Sequence, residues 1–192
     1  SILQGISGTG KTSLPREFAK AIISEAVEYS GQGSDNTPNA PYRICAVQSG
    51  WRDSMDLMGY YNSFEHKYNE TDFFKALYLA NLPKYKDTLF FIILDEMNLS
   101  RPEHYFAEFL SLLEQKPDER FVTVNAPAKV LPAQIKEGNL LVPDNVRFIG
   151  TANHDESTLE FASKTYDRSN LMEMPKNQER NISPTDETYN VS

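Results

Sequence analysis

An eight-residue segment near the start of the chain has the residue types and the spacing of a phosphate-binding loop. Residues 5–12 (GISGTGKT) match the pattern GxxxxGK(S/T) at every fixed position. Glycines let the backbone wrap closely around an anion, and a helix starting at Lys11 directs its positive end toward the same anion. We expect Lys11 to reach the β- and γ-phosphates of a nucleotide, and the Thr12 hydroxyl to ligate Mg²⁺.

A glycine-rich turn that precedes a helix by chance would fit the same letters. An apolar strand at residues 1–4 precedes this segment, however, and a helical pattern follows it, which is the context that the motif requires. The predicted nucleotide-binding residues are Gly5, Ser7, Gly8, Thr9, Gly10, Lys11, Thr12 and Ser13.

A pair of acidic residues follows the most apolar segment of the chain. Residues 89–94 (LFFIIL) predict a strand that is buried on both faces, and Asp95 and Glu96 come directly after it. Because ligands of open α/β sheets bind at the carboxyl ends of the strands, we expect this pair to face the phosphate loop. Asp95 would then hold Mg²⁺, mostly through its water shell, and Glu96 would activate the water that attacks the γ-phosphate. An acidic helix cap or turn is the alternative interpretation.

Another polar residue, Asn153, ends the segment FIGTAN, which begins in a predicted strand at residues 146–150. Its amide could hydrogen-bond both the attacking water and an oxygen of the γ-phosphate. An asparagine in an ordinary turn after a strand is the alternative.

Apolar periodicity predicts alternating strands and helices. We expect strands at residues 1–4, 42–47, 89–94, 146–150 and 171–174, and helices at residues 11–29, 71–81, 102–115 and 157–164. Residues 121–124 and 129–131 predict a small hairpin. This order implies βαβ units and an α/β fold, a three-layer αβα sandwich around a mainly parallel five-stranded sheet with a β-hairpin insertion.

The composition excludes several classes of protein. The chain of 192 residues has a formal net charge of -8, whereas a dedicated nucleic-acid binder normally presents a basic face. Its one cysteine, Cys45, excludes an internal disulfide framework and favours a reducing, cytoplasmic setting. We find no apolar run long enough to span a membrane and no secretory leader. Because the first residue is Ser1 and the first motif follows at once, we expect that upstream sequence has been removed.

The ordered segments GISGTGKT, FFIILDEMN, FIGTANHDEST and YDRSNLMEM resemble those of the AAA+ ATPases, and among these the McrB-type motors of modified-DNA restriction systems. The resemblance covers most of the chain before Pro175. It implies that residues 5–12 are the Walker A loop, that Asp95 and Glu96 are the Walker B pair, and that Asn153 is the sensor-1 residue.

The same resemblance implies roles for three further residues. Asn98 would give polar support to the active site. Arg168 would be an arginine finger that reaches the nucleotide of a neighbouring subunit, although an ordinary surface ion pair is the alternative and restriction motors usually carry several arginines there. Arg101 is a second candidate for such a contact. Trp51, Tyr60 and Tyr61 could line a pore or an interface, but packing in the protein is the favoured interpretation. The hairpin at residues 121–131 resembles an insertion that faces the central channel of a ring.

At the level of the whole protein, the resemblance implies an NTPase core at residues 1–175 and a linker or tail at 176–192 that leads to a missing helical lid. The expected enzyme hydrolyses ATP, or GTP, with Mg²⁺ and drives a homo-oligomeric ring, a hexamer. DNA and a nuclease partner would be engaged through absent domains or separate chains. A nucleotide-gated assembly or scaffold module with slow hydrolysis, or none, is the alternative function.

Overall fold

A computed structural model describes residues 1–6, 8–26, 40–132, 135–154, 161–167 and 169–174. The strands within these ranges are β1 (Ile2–Gly5), β2 (Tyr42–Ala46), β3 (Gly59–Asn62), β4 (Lys67–Glu70), β5 (Phe90–Asp95), β6 (Phe121–Thr123), β7 (Asn139–Leu141), β8 (Val146–Asn153) and β9 (Leu171–Glu173). The α-helices are α1 (Ser13–Ala26), α2 (Ser54–Met58), α3 (Asp72–Ala80), α4 (Pro102–Tyr105), α5 (Ala107–Leu112) and α6 (Ser163–Asp167). No helix of these ranges has the length and the apolar character needed to cross a bilayer.

The central sheet has five strands in the order β2-β5-β8-β1-β9. Every neighbouring pair in it is parallel, so all five carboxyl ends lie at one edge. Strand β8 separates β1, which leads into the phosphate loop, from β5, which ends at the acidic pair. The strand order therefore places the end of β8 between those two segments. The predicted parallel α/β sheet is confirmed.

Both faces of the sheet are covered, which explains the continuous apolar run of β5. Phe90, Ile92 and Leu94 belong to the larger core cluster. Phe91 and Ile93 point to the opposite face and pack in a second cluster with Ala19 of α1. Alternating residues of one strand thus enter two separate cores, as a sheet between two helical layers requires.

The larger core is rich in aromatic contacts. Phe73 of α3 lies 4.9 Å from Phe109 of α5, measured between ring centroids, with the planes at 80°. It also stacks on Phe148 of β8 at 5.8 Å. Each such pair contributes about 0.5–1.5 kcal/mol beyond the burial of its area. This packing fixes α3 and α5 against the strand that carries Asn153.

The helix predicted at residues 102–115 is two helices, α4 and α5, with a break at Phe106. Phe106 has φ -111° and ψ 1°, outside the helical region. Tyr105 and Phe106 are both buried, at 0% and 3% exposure. Adjacent residues of a regular helix point about 100° apart, so a break lets both rings enter the core. The single-helix prediction was wrong because core packing outweighs helical periodicity here.

The hairpin predicted from residues 121–124 and 129–131 was also wrong in its second strand. Strand β6 pairs with β7 instead, with Val122 opposite Leu140 and both side chains 1% exposed. Residues Ala128–Val130 form a 3-10 turn that begins after Pro127. Because proline has no N–H to donate to a ladder, Pro127 favours a turn over a strand. A further hairpin, β3–β4, was not predicted.

Other predictions differ only in their bounds or lie outside the described residues. Strand β8 continues to Asn153, three residues past its predicted end, and α1 begins at Ser13 rather than at Lys11. Of the helix expected at residues 157–164, residues 157–160 lie outside the described ranges, and α6 occupies Ser163–Asp167. The Trp51 ring packs edge-on against Tyr105 at 5.2 Å, which confirms the packing interpretation.

Candidate functional site

The phosphate loop connects β1 to α1 and depends on its glycines. Gly8 and Gly10 both have φ 80°, a backbone conformation that other residues rarely adopt. At Gly5 a Cβ atom would lie 3.0 Å from the Cβ of Met174 and 3.3 Å from Oγ1 of Thr9, so a side chain there would crowd the end of β9. The fixed glycines of the motif are therefore required by the backbone of this loop as well as by any anion.

The Lys11 side chain folds inward across the loop. It is 6% exposed, and its Nζ donates a hydrogen bond of 2.6 Å to the carbonyl oxygen of Ile6. The Thr9 hydroxyl donates to the same carbonyl oxygen at 2.9 Å. Among the described residues, no carboxylate pairs with Lys11. A buried ammonium group without a counter-ion is suited to an anionic ligand.

The phosphate loop is joined directly to the acidic pair. The Thr12 hydroxyl donates to Oδ1 of Asp95 at 2.6 Å, across 83 residues of sequence. Asp95 is the last residue of β5, and its main-chain oxygen accepts from the N–H of Val47 at 3.0 Å. The structure therefore brings together the two residues predicted to hold Mg²⁺.

Glu96 follows Asp95 in a left-handed conformation, with φ 55° and ψ 47°. Such a conformation costs a residue with a side chain about 1–2 kcal/mol. It turns the chain sharply at the end of the strand, and the Glu96 carboxylate accepts from Nδ2 of Asn153 at 3.1 Å. Asn153 thus lies beside Glu96, at the end of the strand between the acidic pair and the phosphate loop.

Asn98 holds the backbone of Asn153. Its Nδ2 donates to the carbonyl oxygen of Asn153 at 2.7 Å, and its Oδ1 accepts from the N–H of Asn153 at 3.1 Å. Asn98 is 3% exposed. A side-chain amide that bonds both backbone groups of one residue fixes the position and the direction of that residue. The next residue of the chain, His154, donates its N–H to the carbonyl oxygen of Gly5 at 3.0 Å, which ties β8 to the phosphate loop.

Sequence reasoning missed Thr151. Its hydroxyl donates to Oδ1 of Asp95 at 2.6 Å and accepts from the N–H of Glu96 at 2.9 Å. Thr151 is 1% exposed. The period of a strand could have identified it, because residues two apart lie on the same face, and Thr151 precedes Asn153 by two positions on β8.

Two predicted site residues, Ser7 and Arg168, lie outside the described ranges. Arg101, the second finger candidate, has a side chain that is 58% exposed. Its Nη1 lies 3.8 Å from Oε1 of Glu103. Its ion pair is an exposed one of small energetic value.

The Thr12 hydroxyl and the Asp95 carboxylate are oxygen ligands of the kind that Mg²⁺ prefers. Mg²⁺ usually takes only one or two of its ligands from the protein. The Thr12 proton is directed to Asp95, so the lone pairs of the Thr12 hydroxyl face away from that carboxylate. The described residues contain no cluster of three or more histidine, cysteine, aspartate or glutamate side chains that could hold a metal. The donor set therefore fits Mg²⁺ better than it fits zinc.

No protein-family model and no curated protein matches the sequence. The fold is similar to that of a solved structure, a putative ATPase from Cytophaga hutchinsonii, with a TM-score of 0.50 and 16% sequence identity. The match covers 91% of this chain and 41% of that protein, so the chain spans less than half of its length. At this identity the likeness concerns the fold alone. The chain thus has the parallel-sheet α/β fold of that protein, and the site lies at the carboxyl edge of the sheet.

Proposed function

We propose that this chain binds a nucleoside triphosphate with Mg²⁺ at the carboxyl edge of the sheet and hydrolyses it. The observation that carries the proposal is the hydrogen bond of 2.6 Å between the Thr12 hydroxyl and Asp95. It joins two motifs that were assigned independently, a phosphate loop and an acidic strand end, at a single point. A chance glycine turn and an unrelated acidic cap would have no reason to meet.

Each residue of the site has a defined task in this proposal. The phosphate-loop N–H groups and Lys11 hold the β- and γ-phosphates, and Lys11 exchanges its bond to Ile6 for a phosphate oxygen. Thr12 and Asp95 would hold Mg²⁺, which neutralises charge on the phosphates when it is bound. Glu96 accepts a proton from the attacking water, and Asn153 orients that water.

The finer features of the proposal follow the resemblance to McrB-type AAA+ motors. The nucleotide is ATP, by its prevalence among AAA+ proteins, with GTP as the alternative. The working assembly is a homo-oligomeric ring, a hexamer, in which Arg168 of one subunit stabilises charge on the nucleotide of the next. DNA and a nuclease would be engaged by domains outside this chain. Arg101, whose side chain is 58% exposed, is the second finger candidate.

Replacement of Lys11 by alanine tests the binding proposal. We expect Lys11→Ala to abolish binding of Mg-ATP in a calorimetric titration, because the buried ammonium group is the counter-charge of the phosphates. Lys20→Ala is the matched control, since Lys20 lies on α1 and pairs with Glu17 at 3.1 Å on the surface. Equal affinity of the Lys11 variant and the wild type would refute the assignment of the phosphate loop.

Replacement of Glu96 by glutamine distinguishes a motor that hydrolyses the nucleotide from a scaffold module that only binds it. If the chain is a motor, Glu96→Gln keeps nucleotide affinity but lowers the rate of phosphate release by at least about a hundredfold. The assay uses the full-length protein, since a neighbouring subunit is expected to complete the site. Equal and negligible rates in both proteins would contradict the motor and favour the scaffold module, in which binding itself is the switch.

A further inference from the structure

The Thr151 hydroxyl connects the two acidic residues of the site, and its hydrogen-bond directions follow from chemistry. A hydroxyl group has one proton and two lone pairs. The N–H of Glu96 can only donate, so Thr151 accepts that bond of 2.9 Å with a lone pair. An ionised carboxylate can only accept, so the single proton of Thr151 points to Oδ1 of Asp95, and the two oxygens are 2.6 Å apart. The Thr151 hydroxyl thus uses its proton and one lone pair in these two hydrogen bonds.

The same Oδ1 atom of Asp95 accepts from Thr12 and from Thr151, each at 2.6 Å. These two donors reach it from different elements, the phosphate loop and strand β8. Two donors on one oxygen fix the plane of the carboxylate more firmly than one donor can. They also leave Oδ2 of Asp95 available to the water shell of a cation.

The backbone conformation of Glu96 has to be stabilised by contacts with other residues. Its left-handed conformation, with φ 55°, is one that a glutamate leaves readily unless the surroundings hold it. Within the described residues, the N–H of Glu96 is bonded by Thr151, which is itself 1% exposed in the core. The direction of the Glu96 side chain therefore depends on a buried hydroxyl group that also bonds Asp95.

We propose that Thr151 is a positioning residue, which holds the Asp95 carboxylate in orientation for the metal and the Glu96 backbone in orientation for the attacking water. This inference rests on the proposed nucleotide site and adds a residue to it. It predicts that removal of the Thr151 hydroxyl impairs metal-dependent nucleotide binding and turnover. Binding of the nucleotide phosphates in the absence of metal should be retained.

The test compares Thr151→Val with Thr151→Ser and with a matched control, Thr165→Val. Valine keeps the shape and the strand preference of threonine but has no hydroxyl, whereas serine keeps the hydroxyl. Thr165 is 0% exposed, and its hydroxyl has no hydrogen-bond partner in the described part of the chain, so Thr165→Val removes a buried hydroxyl that bonds neither Asp95 nor Glu96. The probe is ADP, titrated by calorimetry at a series of Mg²⁺ concentrations and in excess chelator. Phosphate release from ATP and the thermal unfolding midpoint are measured in parallel.

We expect Thr151→Val to need about tenfold more Mg²⁺ for half-maximal ADP binding and to lower kcat by about tenfold to a hundredfold. In chelator its ADP affinity should equal that of the wild type within about twofold, because Lys11 and the loop glycines are unchanged. Thr151→Ser should restore both quantities to within about threefold of the wild type. Thr165→Val should leave all of them unchanged.

A merely structural role predicts a different pattern. Thr151→Val would then lower the unfolding midpoint but would keep the Mg²⁺ requirement and kcat of the wild type, and that result would overturn the inference while the proposed function stands. An equal loss for the serine variant would also overturn it, since the hydroxyl would not be the group that matters. A wild-type protein that binds no ADP at any Mg²⁺ concentration would refute the proposed function itself, and the inference with it.

Discussion

Replacement of Asn98 by alanine removes two hydrogen bonds that fix the backbone of Asn153. The bonds measure 2.7 Å to the carbonyl oxygen and 3.1 Å from the N–H, and they cross from the turn after β5 to the end of β8. Alanine cannot replace either of them. The N–H and the carbonyl of Asn153 would each lose a partner in a partly buried setting.

The expected loss of stability follows from the N–H and the carbonyl group of Asn153. A buried backbone group left without a partner costs about 1–3 kcal/mol, and the lower part of that range applies to partly buried groups. Two groups therefore imply a loss of about 2–3 kcal/mol in the free energy of unfolding. For a chain of this size, that loss corresponds to a fall of about 5–10 °C in the unfolding midpoint. Asn98→Asp should be no better, because a carboxylate at this position would face the carbonyl oxygen of Asn153.

A second effect of Asn98→Ala should appear in turnover. Because Asn153 contacts the Glu96 carboxylate, a displaced Asn153 backbone moves the amide that we propose to orient the attacking water. We expect kcat for ATP to fall by at least about tenfold at a temperature at which the variant is fully folded. Nucleotide affinity should be nearly unchanged, since the phosphate loop keeps its own contacts.

Asn81→Ala is the matched control for this experiment. Asn81 also uses its side-chain amide to bond two backbone groups, the carbonyl oxygens of Leu77 at 2.9 Å and Leu141 at 2.8 Å, but it lies at the end of α3, away from the site. We expect Asn81→Ala to lower stability by about 1–2 kcal/mol and to keep wild-type kcat. The reasoning is refuted if Asn98→Ala retains wild-type kcat, or if the two variants lose turnover equally.

The remaining predictions concern the Glu96 backbone and the buried thiol. At φ 55°, Glu96→Gly should be about 0.5–1 kcal/mol more stable than Glu96→Ala in urea unfolding, because glycine alone relieves the left-handed strain, and the reverse order would contradict that strain. Burial, with a smaller contribution from Asp72, raises the pKa of Cys45 to about 12, and the thiol is 2% exposed. Iodoacetamide should therefore label Cys45 at neutral pH only as fast as the chain opens; labelling at the rate of a free cysteine would show an accessible thiolate.

The framework of the fold was predictable because it depends on local patterns. The segment FFIIL is apolar at consecutive positions, which only a strand buried on both faces requires, and β5 has this burial in the structure. The hairpin partner of β6 was not predictable in the same way. Residues 129–131 and the true partner β7 are both short apolar runs, and the choice between them depends on the burial of Val122 against Leu140 rather than on either sequence alone.

The site was predictable in its motifs and not in the contacts that support them. Lys11 and Thr12 were predicted from the fixed spacing of a phosphate loop, and Asp95 and Glu96 from their position after the most apolar strand. Thr151 was missed because the predicted strand ended at Gly150, so the period that places Thr151 on the same face as Asn153 was not extended to it. Its role depends on the register between β5 and β8, which pairs Leu94 with Gly150 and so brings the following residues, Asp95 and Thr151, side by side.

This register also places a glycine beside the turn that carries the acidic pair. A Cβ atom at Gly150 would lie 2.6 Å from Sδ of Met97, the residue after Glu96. Because that sulfur belongs to a flexible side chain, a side chain at residue 150 would require Met97 to repack within the core, where it is 3% exposed. Gly150 therefore leaves room for Met97 under the turn, and Thr151, the next residue, holds the Asp95 carboxylate at 2.6 Å. On this reasoning, Gly150 and Thr151 support the turn, and Asn153 is the residue of the segment GTAN that we propose to reach the reacting groups.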